Sequence, residues 1–167
     1  MTDMGSARIA MASKANGGAG TETGEFDLCF WGVRGGIPTT NAETLRFGGN
    51  TPCVEVHCGD HLIILDAGTG IRPFGLALDQ SRPIKADILF SVSRFDHACG
   101  LPFFSAGYNP ANEFKVWAGH LGSGGSIEQD LNDLMTSPLF PIPLSFIGGL
   151  KQWGDFIAGE EFEPREG

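Results

Sequence analysis

The chain has 167 residues, 41% of them apolar, which suits one folded domain with a sizeable core. Twenty acidic side chains against eleven basic ones leave a formal charge of −9, and this argues against nucleic-acid binding, which relies on a basic patch. No apolar stretch of about 18 residues occurs, so no membrane span is expected.

The first 25 residues lack the apolar core of a secretory signal and contain Asn16-Gly17-Gly18-Ala19-Gly20. They read as a disordered tail ahead of a domain over 26–167. Asp27-Leu28-Cys29-Phe30-Trp31-Gly32-Val33 reads as a strand, broken by Arg34-Gly35-Gly36-Ile37-Pro38. After the turn cluster Phe47 to Pro52, Cys53-Val54-Glu55-Val56-His57-Cys58 alternates as a half-buried strand does. Gly59-Asp60 joins it to His61-Leu62-Ile63-Ile64-Leu65-Asp66 as a hairpin.

Ala67-Gly68-Thr69-Gly70 ends that strand, and Ile71 to Leu78 follow as a short helix with Pro73 in its first turn. Asp87-Ile88-Leu89-Phe90-Ser91-Val92 and Phe114-Lys115-Val116-Trp117-Ala118 are further strands. Ser126 opens the clearest helix. Ser126 with Gln129 fits a capping box, Ile127, Leu131, Leu134 and Met135 form one apolar stripe, and Pro138 lies past its end. Strands alternating with helices imply an α/β layered fold.

Cys29, Cys53, Cys58 and Cys99 form no C-x-x-C pair. Cys53 and Cys58 lie five apart on one strand, so their side chains face opposite sides, which argues against a disulfide. Buried free thiols in a cytoplasmic protein fit better.

The stretch with most chemical content is Ser91-Val92-Ser93-Arg94-Phe95-Asp96-His97-Ala98-Cys99-Gly100. It resembles the metal loop of metallo-β-lactamase-fold hydrolases, whose pattern is His-x-His-x-Asp-His. Four further blocks, in the same order as in that family, resemble its subgroup related to cyclic-phosphate and cyclic-nucleotide phosphodiesterases. They are Phe30 to Pro38, Phe47 to Val56, Leu62 to Arg72, and Ser137 to Leu144. Gly100-Leu101-Pro102-Phe103-Phe104 extends the metal-loop match.

The resemblance implies half of an αββα sandwich, because the family's later ligands (a His, a bridging Asp and a last His) lie downstream of the matching region. His120 falls too early to stand for the third ligand. Within the loop, Val92 and Arg94 replace two metal-binding His, while Asp96 and His97 remain as residual, incomplete metal ligands. Valine has no lone pair and arginine only donors. A catalytic zinc usually needs three protein ligands and an open position for water. No metal is therefore expected in the isolated chain, and zinc or another divalent ion only where a partner supplies ligands.

By the same resemblance, Asp66 is a carboxylate behind the metal loop that orients its ligands. The Arg94 guanidinium is expected to replace the lost cation and to pair with Asp96 and also with Asp66. Cys99, a conceivable soft ligand, is read as packing, and His57 and His61 as ordinary hairpin residues.

The resemblance thus implies a protein of metal-dependent hydrolase ancestry, inactive alone. Two alternatives stand beside it: a phosphodiester hydrolase completed by another chain, and a module that binds a phosphorylated ligand through Arg34, Arg72 and Arg94. A half-sandwich leaves one apolar sheet face to cover, so a homodimer or a chain carrying the other half is the expected partner.

Overall fold

The computed structural model describes residues 7–11, 26–122, 124–157, 159 and 161. Among the described residues, seven strands form one mixed sheet in chain order. They are β1 (Ala7–Met11), β2 (Phe26–Gly32), β3 (Cys53–Cys58), β4 (His61–Leu65), β5 (Lys85–Phe90), β6 (Glu113–Ala118) and β7 (Leu150–Asp155). The first four pair antiparallel, and β4 through β7 run parallel. Among the described residues, three α-helices, α1 (Ile71–Ala77), α2 (Phe95–Ala98) and α3 (Ile127–Leu134), and three short 3-10 turns join the sheet in an α/β architecture. No helix among the described residues is long and apolar enough to cross a membrane.

Period-two alternation sorts the strands onto two faces. Leu62 and Ile64 of β4, Ala86, Ile88 and Phe90 of β5, and Phe114, Val116 and Ala118 of β6 share the buried face. The helical layer packs there: Ile71 and Phe74 of α1, Ala98 of α2, Leu101 and Phe104 of the following turns, and Ile127 and Leu131 of α3 join the same cluster. The opposite face carries Val54, Val56, Ile63, Leu65, Leu89 and Trp117. Leu65 is 37% exposed there, and the buried Asp87 carboxylate accepts the Trp117 indole N–H at 2.8 Å.

Aromatic rings knit α1 to the sheet. Phe104 stacks on Phe74 at 6.2 Å and meets Phe114 edge-on at 4.9 Å, while Trp31 tilts against Phe74 at 5.6 Å. Asn112, fully buried, accepts from Ile84 N and donates to Ala106 O, tying the entry of β5 to the turns after α2.

Three sequence expectations change. Residues 1–25 were expected to be a disordered tail, yet Ala7–Met11 pairs with β2 as the edge strand β1; the rest of that leader lies outside the described residues. The capping box does not form: Ser126 is extended at the start of α3 but makes no capping bond, and the Ile127 N–H goes instead to Asp155 Oδ1 at 3.1 Å. β5 ends two residues early, so Ser91 and Val92 belong to a loop. All four cysteines are free thiols, as read; Cys29 and Cys53 are buried, whereas Cys58 is exposed.

Phe104 has no exposed surface and sits between two other rings. Phe104→Ala should cost about 3–5 kcal/mol, the usual loss for emptying a packed aromatic site, seen as a lower urea midpoint with an unchanged slope.

Candidate functional site

The parallel register decides where chemistry can gather. Asp66 follows β4 directly, Ser91 follows β5 directly, and His120 lies two residues past β6. All three therefore emerge at the carboxyl ends of parallel strands, where open α/β sheets place their binding crevices. The turn after β4 is bound to α2 by Ala67 N–H to His97 O (2.7 Å) and Gly100 N–H to Ala67 O (2.9 Å). Gly100 permits this approach, because a Cβ there would overlap the Gly68 carbonyl.

Asp66 is the pivot. Its backbone is left-handed, with φ at 61°, a region that Asp and Asn enter more readily than most non-glycine residues. Its N–H donates to Leu89 O at 2.9 Å. The buried carboxylate accepts the Ser91 N–H at 2.9 Å and the Ser91 hydroxyl at 2.8 and 3.0 Å. His97 Nδ1 lies 3.0 Å from the second carboxylate oxygen. A carboxylate on Nδ1 fixes the ring orientation and leaves Nε2 as the outer nitrogen.

Ser91, His97 and Asp66 are the residue types of a nucleophilic triad, but their geometry forbids that role. Ser91 Oγ and Asp66 Oδ2 both approach Nδ1, at 3.2 and 3.0 Å. A triad needs the serine on one ring nitrogen and the carboxylate on the other. Ser91 here joins Asp66 to β5 and does not face the base.

Asp96 is 5% exposed at the start of α2, and its Oδ2 accepts the Gly36 N–H at 2.8 Å, a contact spanning 60 positions. That N–H holds the Asp96 pKa below its ordinary 3.8; desolvation acts the other way, and His97 and Arg94 add to the lowering. His97 Nε2 stands 3.7 Å from Asp96 Oδ2, beyond hydrogen-bond length.

Arg94 Nε lies 3.5 Å from Asp96 Oδ1, with its side chain 65% exposed. This places the guanidinium beside one of the two expected carboxylates. The second expected pairing is corrected: Arg94 makes no ion pair with Asp66, because Ser91 and His97 fill that carboxylate's acceptor sites. Arg34 is half-buried on the loop that carries Gly36, and Arg72 is exposed on α1. Among the described ion pairs, Arg94 is the one of these three arginines that meets an acid.

The donors gathered at the loop are few. Asp96 and His97 offer lone pairs, Val92 and Arg94 none, and among the described residues no group of three or more His, Cys, Asp or Glu is placed to hold a metal. Burial raises the Cys99 thiol pKa, and its sulfur sits 3.9 Å from Thr51 Oγ1, so it remains a protonated packing group. His57 is engaged with Glu55 at 2.7 Å, and Glu55 also accepts the Trp31 indole N–H at 2.8 Å.

The sequence reading missed one pair. Ser93 donates its N–H (2.9 Å) to His120 Nε2, and its hydroxyl lies 2.7 Å from the same nitrogen. Phe90 pairs with Ala118, and this register, which no sequence motif marks, brings the loops past the two strand ends together.

The lowered Asp96 pKa has a definite sign. A carboxylate that binds its proton less readily when folded contributes stability that is full above the ordinary carboxylate range and is lost as pH falls through the lowered value. Urea midpoints measured between about pH 5 and pH 2 should therefore fall less steeply for Asp96→Asn than for the parent chain.

Comparison of the chain with known family models, with curated proteins and with solved structures finds no match.

Proposed function

We propose that this is a metallo-β-lactamase-fold protein, one half of a two-sheet αββα sandwich, descended from metal-dependent phosphodiester hydrolases and without hydrolytic activity as an isolated chain. One observation carries the reading: a guanidinium stands 3.5 Å from Asp96, at the loop position where the family pattern requires a second histidine. A permanent cation that offers only donors repels a divalent ion and cannot ligate it. Without such an ion the site has no means of lowering the pKa of water to about 7.

The network behind the loop supports the same descent. Asp66 orients His97 through Nδ1 and turns Nε2 toward Asp96, the arrangement a ligand pair needs. This favours a second reading, in which another chain supplies the further ligands and restores a phosphodiester hydrolase. The apolar sheet face of Val54, Val56, Ile63, Leu65, Leu89 and Trp117 suits a second copy or a chain bearing the complementary sheet. Four free thiols suit the reducing cytoplasm.

Metal analysis of the purified chain after zinc or manganese loading, with bis(p-nitrophenyl) phosphate as substrate, tests the proposal. The expected result is no stoichiometric metal and no hydrolysis. A tightly held equivalent of metal, lost in Asp96→Ala, overturns it in favour of the hydrolase. Sedimentation tests the partner: a dimer is expected, and a well-behaved monomer counts against a sheet face that requires covering.

A further inference from the structure

We propose that Ser93 and His120 form a nucleophile–base pair that takes the acyl group of a small neutral ester. The pair is separate from the Asp66 network and makes no use of a metal. Ser93 Oγ lies 2.7 Å from His120 Nε2, and the Ser93 backbone N–H donates to that same nitrogen at 2.9 Å. A nitrogen that accepts an N–H bond presents its lone pair to the donor, so Nε2 is an acceptor toward Ser93. The serine hydroxyl, at 2.7 Å, shares that one lone pair with the N–H, and as its donor is oriented as a base requires of a nucleophile. The Ser91–His97 contact lacks it, because the group on that nitrogen is the acceptor-only Asp66 carboxylate, toward which Nδ1 is the donor.

The surroundings define the substrate class. Ser93 lines a cavity of about 230 Å³ whose other walls are Phe95, Ala98, Asp130, Leu131 and Leu134. Four apolar side chains suit a short acyl chain. The Asp130 carboxylate disfavours anions, so uncharged esters are favoured over phosphodiesters and free carboxylates. Parallel pairing of Phe90 with Ala118 supports both partners from adjacent strands, which limits how far the two side chains separate.

The step balances without a cofactor. Ser93 Oγ attacks the ester carbonyl carbon as its proton passes to His120 Nε2. Collapse of the tetrahedral adduct breaks the bond to the leaving oxygen, and His120 returns the proton to that oxygen. The products are the alcohol and acyl-Ser93.

The test uses the full chain with p-nitrophenyl butyrate, its thiols blocked beforehand because Cys58 is exposed. Nitrophenolate release with a butyryl adduct on the peptide containing Ser93 is expected, and Ser93→Ala should remove the adduct. His120→Gln keeps an acceptor for both Ser93 bonds but cannot take a proton, so it should slow adduct formation by about 100-fold or more with an unchanged circular dichroism spectrum. Labelling of Ser93 by a fluorophosphonate probe in the unmodified chain gives a readout that needs no variant. The proposal is overturned by an absent adduct, by an adduct elsewhere, or by a rate that His120→Gln leaves unchanged.

Discussion

The Asp66 carboxylate is the constraint on which the candidate site depends. One side chain binds the end of β5 through Ser91 and the face of α2 through His97, while its own backbone hangs from Leu89. Three elements distant in sequence thus converge on one anion. The left-handed φ of Asp66 is the local cost of that arrangement. It persists because the surrounding bonds over-determine it. The loop from Ser91 to Arg94 begins on this anchor and ends at α2, so the positions of Arg94 and Ser93 follow from it.

Around the anchor, charge is disposed in a way that explains how the loop tolerates its residues. Asp96 is nearly buried, and its charge is met by a backbone N–H from Gly36, by the nearby ring of His97 and by an exposed arginine. The backbone contact is the largest of these effects. Arg94 is therefore an accessory neutraliser, consistent with the small contribution of exposed ion pairs. A fixed backbone dipole meets this charge first and an exposed side chain second.

Much of the central fold was legible in the residues. Cys53–Cys58 and His61–Leu65 announce themselves by alternation and by Gly59-Asp60 between them. Ile88-Leu89-Phe90 does so as an apolar run in Lys85–Phe90, with Ile88 and Phe90 packed under the helices. The edges were not legible. Leu150-Lys151-Gln152-Trp153-Gly154-Asp155 has no clean period because an edge strand packs on few neighbours, and Ala7–Met11 lies in a leader whose composition reads as unstructured. Within the site, Arg94 beside Asp96 is a near-neighbour relation that two adjacent turns allow. Gly36 on Asp96 and Ser93 on His120 depend on loop closure and strand register, which no local pattern encodes.

The start of α3 shows how late some of this order is secured. Its first N–H is held by Asp155, a residue 28 positions further on and at the far end of β7. A growing chain that has emerged only through Leu134 possesses the whole helical segment but not the carboxylate that receives it. The seating of the helix start, and with it the cavity wall beside Ser93, therefore draws on β7 as well as on the helix's own apolar stripe.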